Sequence, residues 1–275
     1  MRSILMLVVL ALCLPLGAQA DGGLGDLMIM PTRVVLEGRE RSAEVILRNA
    51  GPVPTSYRIY FQEMRMLPSG DVEEVAKSVG TFYASDLVRY SPRQVDLGPN
   101  ETQTVRLQVR KPEGLKDGEY HSHLVFQRIP PVEPAKPLED TGEDGVSVNI
   151  QALVGISIPV IVRHGDTHAT VSLSGLSFQP ATQPDEAPAL DLLLNRSGNR
   201  GVQGEFKVDW IPRSGRASTL DSEDGRAVYP EVDAVNVHLE LQDAAGKTLK
   251  DGRFKVTFSP KDIKQPPVTA FLDLP

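Results

Sequence analysis

Cysteine is nearly absent from this sequence, in which Cys13 is the single example. Cys13 lies inside an amino-terminal segment that we expect to be removed, so the mature chain is predicted to contain neither a disulfide nor a thiol nucleophile. Burial of a hydrophobic core alone must then hold the fold together. The roughly 255 residues that remain are enough for two domains of ordinary size.

The amino-terminal segment has the form of a bacterial secretory signal peptide. Arg2 is followed by the apolar run ILMLVVLALCLPLG and then by AQA, a small-x-small site that places the cut after Ala20. We therefore expect residues 1–20 to be a signal peptide and the mature protein to be exported.

Two further absences restrict the partners. Acidic residues outnumber basic ones by 36 to 29 and no basic run occurs, which argues against nucleic acid, because neutralising phosphate requires clustered Lys and Arg. Beyond the amino terminus no stretch approaches the roughly 18 apolar residues of a membrane helix, so we expect no membrane insertion.

Signatures of catalysis are missing as well. The sequence contains no Gly-x-Ser-x-Gly elbow, no His-Glu-x-x-His pair and no phosphate-binding glycine loop. We therefore predict that the chain is not an enzyme and uses no cofactor.

Two histidine-containing segments raise the alternative of a metal site. His121 and His123 in HSH share one strand face, but no third ligand follows at a recognisable spacing. The segment RHGDTH (163–168) is explained more simply as the connection between two domains. We predict no metal at either place.

Helical periodicity is nearly absent, whereas short alternating apolar runs separated by turn signals recur along the chain. In the first half the predicted strands are 27–38, 42–49, 55–64, 93–97, 102–110, 120–129 and 146–158; in the second half they are 169–178, 189–198, 204–211, 235–243, 252–259 and 268–274. Residues 182–188 and 213–226 are predicted to be long polar loops. The pattern predicts an all-β protein with two immunoglobulin-like sandwiches, one at 21–164 and one at 165–275.

The segment VSVNIQALVGISI (146–158) is unusual for its length. A typical strand has about 5 or 6 residues, yet here an apolar side chain occupies every even position: Val146, Val148, Ile150, Ala152, Val154, Ile156 and Ile158. Successive strand residues point to opposite faces, so all of them share one face. We expect Ile156 and Ile158 to pack in the core of their own domain, and Val146, Val148 and Ile150 to face a partner.

Four segments, in this order, resemble landmarks of the periplasmic chaperones of the chaperone–usher pilus pathway. They are PTRVVLEG (31–38), RYSPRQVDLGPNETQTVRL (89–107), QRIPP (127–131) and VSVNIQALVGISI (146–158). The resemblance implies two sandwiches set at an angle and a periplasmic location. It also implies two kinds of partner, the pilin-like subunits of a fibre and an outer-membrane usher.

The resemblance also implies a binding strand and an anchor. Members of this family lend a strand to an unfinished subunit, which assigns the residues that fill the subunit groove to Val146, Val148, Ile150 and Ala152. They hold the carboxylate at the subunit's carboxyl terminus with an Arg and a Lys. Arg33 matches the Arg, whereas Ser157 falls on the position of the Lys, and a serine there can also be an ordinary strand residue exposed to solvent.

The end of the same strand departs from the family pattern. Pro159 cannot donate to a sheet ladder and implies either a bulge or an edge. Arg163 matches the Arg that ends the family's strand, and we expect it to pair across the domains with Asp251 of DGR (251–253), although KDG there is equally a hairpin turn.

A second function remains open at this point. A structural or adhesive protein of the cell envelope, made of two β-sandwiches and without a client, fits the same strand pattern. Only the four family landmarks favour the chaperone.

Overall fold

The structure is a computed structural model that describes residues 26–78, 83–130, 153–183, 186–247 and 249–275. The predicted signal peptide and the four residues assigned to the subunit groove lie outside the described residues. No helix in the described part of the chain is long and apolar enough to span a membrane.

The first sandwich packs a four-stranded sheet, in the order β1-β3-β9-β7, against a five-stranded sheet, in the order β2-β11-β10-β4-β8. Its strands alternate buried and exposed residues as expected for sheets with one face in a core; in β3, Val45, Leu47 and Asn49 are buried. The elements are β1 (Leu27–Met30), β2 (Val34–Leu36), β3 (Ser42–Asn49), β4 (Thr55–Gln62), α1 (Ala84–Leu87), β7 (Val88–Ser91), β8 (Gln94–Leu97), β9 (Thr102–Val109), β10 (Gly118–Ile129) and β11 (Gly155–His164).

The second sandwich packs the sheet β12-β13-β16 against the sheet β15-β14-β17-β18. Its core is centred on Phe206, Phe254 and Phe258, all fully buried. The elements are β12 (Ala169–Gln179), β13 (Ala189–Gly198), β14 (Val202–Pro212), β15 (Ser218–Val228), β16 (Ala234–Glu240), a 3₁₀ helix (Gln242–Ala244), β17 (Gly252–Pro260) and β18 (Val268–Leu274). The predicted all-β class with two immunoglobulin-like sandwiches is therefore confirmed.

One loop prediction is wrong. Strand β15 runs through most of residues 213–226, which were expected to form a loop, and it pairs with β14. Because β15 lies at the edge of its sheet, only Leu220 and Val228 are buried in it and most of the other positions are polar. The polar composition therefore reflects an edge strand.

A hairpin connects the two domains in a way that the sequence pattern did not predict. It consists of β5 (Met64–Met66) and β6 (Val72–Glu74) and leaves the end of β4 to contact the second sandwich. Met66 packs in the second core, and Asn236 of β16 donates its backbone N–H to the carbonyl oxygen of Pro68 at 2.8 Å. The second core therefore includes a residue of the first half of the chain.

Candidate functional site

Strand β11 has an open edge over its first five residues. On one side it pairs with β10 along its whole length, from Gly155 to His164. On the other side it pairs in parallel with β2 only from Val160 to Val162. Within the described chain, no strand covers the second side of residues 155–159, so this side is free to accept another strand.

Pro159 lies in that open stretch. The pairing of β10 with β11 continues past it without a shift in register. The structure therefore shows no bulge at this proline and places it at an open strand edge. A proline within a sheet is tolerated where its missing N–H would have faced away from a neighbouring strand.

The apolar side chains of β11 become more exposed toward its amino-terminal end. Ile158 is 2% exposed and Ile156 is partly buried, both against the first core. Val154, on the same face, is 46% exposed. The prediction that Ile156 and Ile158 pack in their own sandwich is confirmed, and at Val154 the same face has left the core.

Arg33 directly precedes β2 on the outward face of the five-stranded sheet. We call this surface the interdomain face; its side chains are those of Arg33, His121, His123, Val125, Ser157, Pro159 and Ile161. The Nη2 atom of Arg33 is buried and has no hydrogen-bond partner among the described residues. Burial lowers the pKa of Arg33, but a guanidinium stays charged in proteins. The anchor residue predicted from the sequence is therefore a desolvated cation with a free donor.

Ser157 shares this face but does not lie beside Arg33. Val34 pairs with Val160, so continuing the register by one residue sets Arg33 beside Pro159, and Ser157 is two residues further along β11. Two residues of a strand span about 6.6 Å. Ser157 is half-buried opposite Val125, and its part in an anchor stays a prediction.

Histidine fills the position that completes the row across the sheet. His123 of β10 pairs with Pro159, so His123, Pro159 and, by the same extension of the register, Arg33 fall in one row on three neighbouring segments. His123 is 5% exposed, and its Nδ1 atom is buried without a partner in the described chain. Burial first, and then the charges of His121 and Arg33, lower the pKa of His123 to about 4, against the opposing effect of Glu231.

The second domain closes over this row through Tyr229 and Glu231. The ring of Tyr229 lies 4.7 Å from that of His121 and 6.1 Å from that of His123, centroid to centroid. Burial raises the pKa of Tyr229 to about 12, so its hydroxyl stays protonated. Glu231 Oε2 lies 3.1 Å from His121 Nε2, while its other oxygen accepts the backbone N–H of Met66 at 2.7 Å. Glu231 is thus held by other partners and does not neutralise Arg33 or His123 directly.

Arg163 joins the two domains, but its partner differs from the predicted one. Its guanidinium donates to Glu119 at 2.9 Å, to Glu37 at 3.0 Å and to Asp262 at 2.6 Å. Asp262 follows β17, whereas Asp251 precedes it, so the two aspartates lie at opposite ends of one strand. The predicted pair of Arg163 with Asp251 is wrong, because the chain direction of β17 carries Asp251 away from the interface.

The described residues include no group of three or more His, Cys, Asp or Glu side chains placed to hold a metal ion. Arg33 places a buried donor without a hydrogen-bond partner in the described chain on the interdomain face, near the open edge of β11.

Comparison with known proteins identifies the family. The family model of the pili and flagellar-assembly chaperones, PapD N-terminal domain, matches residues 26–164, just over half of the 275 residues. This chain therefore belongs to that family, and the resemblance found in its sequence is confirmed. It is an assembly chaperone of the chaperone–usher kind. No curated protein matches the sequence.

Solved structures of pilus chaperones are also similar to the chain, at low identity. The CupB2 chaperone of Pseudomonas aeruginosa is 13% identical, with 90% of this chain and 100% of that chain covered and a TM-score of 0.42. The CsuC–CsuE complex of a chaperone with a tip adhesion subunit from Acinetobacter baumannii gives 14% identity, 88% and 97% coverage and a TM-score of 0.44. The E. coli chaperone DraB is 13% identical, with 90% of this chain and 96% of that chain covered and a TM-score of 0.43.

Proposed function

We propose that this protein is a non-enzymatic chaperone of the periplasm that binds unfinished fibre subunits by lending them a strand, and then delivers them to an outer-membrane usher. The lent strand is the continuation of β11 toward residue 146, with Val146, Val148, Ile150 and Ala152 filling the groove of the subunit. Arg33 binds the carboxylate at the carboxyl terminus of the subunit.

The open edge of β11 is the observation that carries this proposal. Strand addition needs unpaired backbone groups for the ladder and alternating apolar side chains for the groove. Residues 155–159 provide the first, and the rising exposure from Ile158 to Val154 supports the second. Full burial of an aliphatic side chain contributes about 1.5 to 3 kcal/mol. Val146, Val148 and Ile150 together would contribute at most about 5 to 9 kcal/mol to binding, which is enough for a micromolar complex.

The test is co-expression with the small secreted proteins encoded beside this gene, followed by affinity purification. We expect one of them to co-purify with the wild-type protein. Ile150→Asp should abolish its recovery, because a carboxylate would be buried without a partner in the groove of the subunit. Asn149→Asp is the matched control, since it adds the same charge at the next position, on the opposite face of a strand.

Thermal melting of both variants completes the experiment. We expect Ile150→Asp to melt at the wild-type temperature in the absence of the subunit. A melting temperature that falls together with binding would show that Ile150 belongs to the protein's own core, and strand lending would lose its main residue.

A further inference from the structure

Three buried side-chain nitrogen atoms on the interdomain face, Arg33 Nη2, His121 Nδ1 and His123 Nδ1, have no hydrogen-bond partner within the described chain. His121 is already paired with Glu231 through its Nε2 atom, which leaves Arg33 and His123. Buried polar groups are nearly always satisfied, so each such exception requires an explanation. The two side chains start from the same row of the sheet, with only Pro159 between them, and proline offers no side-chain group that either of them can bond.

The spacing of this row suits one small anion. Neighbouring strands are about 4.8 Å apart, so the backbones of Arg33 and His123 are about 10 Å apart, with Pro159 between them. A carboxylate has two oxygen atoms and can accept a hydrogen bond from each side chain.

From this arrangement we propose that His123 is the second cationic group that holds the subunit's carboxylate, and that it takes up a proton when the carboxylate binds. The inference rests on the proposed function, since the carboxylate is that of a bound subunit. In this proposal His123 of β10 provides the second positive charge, which the uncharged Ser157 of β11 cannot provide.

The charges around His123 fix the direction of this exchange. Arg33 and His121 disfavour a proton on His123, Glu231 favours it, and Tyr229 is neutral. The paired residues on the adjacent strands, Gln62 of β4 and Pro159 of β11, carry no charge. With a pKa of about 4 in the free protein, His123 is neutral near pH 7. A bound carboxylate adds a negative charge at the ring and raises this pKa.

The consequence is a subunit affinity that depends on pH. Between the pKa of His123 in the complex and about 4 in the free protein, binding takes up one proton, so Kd falls by up to about tenfold for each unit by which the pH is lowered. His123→Gln should remove this dependence. His123→Lys should provide a permanent charge and bind with little dependence on pH.

The experiment has two parts. Calorimetry with the subunit recovered by co-expression, in buffers that differ in ionisation enthalpy, measures the protons taken up. We expect uptake by the wild-type protein and by the control His168→Gln, whose histidine is exposed, and none by His123→Gln. Binding without proton uptake in the wild type would overturn the proposal and leave subunit binding intact.

The second part does not need a subunit. Sodium acetate and sodium chloride, at equal ionic strength and about pH 6, are compared for their effect on the imidazole NMR signals of the free protein, with His123 identified by its loss in His123→Gln. We expect acetate, and not chloride, to shift His123 toward the imidazolium form, and we expect Arg33→Ala to abolish that shift. Equal effects of the two salts would overturn the proposal. If no subunit can be recovered, the proposed function fails and this part still decides whether the row binds a carboxylate.

Discussion

Arg33 lowers the stability of the free protein, because one of its buried donors is unsatisfied. Its Nη2 atom is buried without a partner in the described chain, and leaving such a donor unsatisfied costs about 1 to 3 kcal/mol. Asp262 and Glu119 are near enough to influence its charge but do not bond it. A side chain that destabilises the free state and would be satisfied by an incoming carboxylate is better explained by binding than by folding.

Removal of Arg33 should therefore weaken the complex and spare the fold. We expect Arg33→Ala to reduce subunit affinity by about 1.5 to 3 kcal/mol, the range for a hydrogen bond to a charged group, and Ser157→Ala by no more than about 1 kcal/mol. Isothermal titration of the two variants against the purified subunit measures both. An unchanged affinity for Arg33→Ala would mean that strand pairing alone holds the subunit.

The two residues of the proposed anchor, Arg33 and His123, differ in how far the sequence could reveal them. Arg33 lies in the recognisable segment PTRVVLEG (31–38), directly before β2. Nothing in the sequence singles out His123, because HSH shows only that two histidines share a face. What lies across the sheet depends on the parallel pairing of β2 with β11 and the antiparallel pairing of β10 with β11, and no local pattern encodes that register.

The short strand β2 determines how much of the β11 edge stays open. It covers three residues of β11 and leaves the five before them open. An open edge invites pairing with any other strand, including that of a second copy, and natural proteins often place a proline there to discourage it. Pro159 lies within this stretch and lacks one ladder donor.

Restoring that donor should promote self-association. We expect Pro159→Val to populate a dimer or larger species at concentrations where the wild-type protein has fewer of them, as measured by size-exclusion chromatography with light scattering. Pro52→Val, in an exposed turn, is the control for the change of residue type. If both variants behave like the wild type, the proline does not protect this edge.

The accuracy of the strand predictions follows the burial of each element. Residues 42–49, 189–198 and 268–274 were predicted as strands and coincide with β3, β13 and β18, because their alternation reflects a core on one side. Strands β7 and β15 and the hairpin of β5 and β6 were missed. They bury few side chains in a regular alternation, so the sequence shows only their polarity.

On the scale of the whole molecule, charged side chains hold the two sandwiches together. Arg163 is 3% exposed and the Glu119 side chain is fully buried beside it. Burial alone lowers the pKa of Arg163, but Glu119 and Asp262 outweigh this effect and raise it. Arg200 extends the network, since it lies 3.4 Å from Glu37 and donates to the carbonyl oxygen of Asp262 at 2.7 Å.

Breaking this network should destabilise the protein and separate the unfolding of its domains. Removing one partner of a buried ion pair costs about 3 to 5 kcal/mol, which we expect for Arg163→Met. Trp210, the only tryptophan, lies in the second core, so its fluorescence in a urea titration follows that domain, while circular dichroism follows both. The two transitions should coincide in the wild type and separate in Arg163→Met.

The control is Arg253→Met, which removes an exposed ion pair with Asp273. Surface pairs contribute at most about 1 kcal/mol, so both transitions should remain close to those of the wild type. Coincident transitions in Arg163→Met would show that other contacts are sufficient to couple the domains.

The placement of Met66 makes the interior of the second sandwich depend on the first half of the chain. Its side chain packs among strands that begin only at Ala169, and Tyr229 donates its backbone N–H to the Met66 sulfur at 3.4 Å. A fragment cut between the two domains would therefore lack a piece of its own interior.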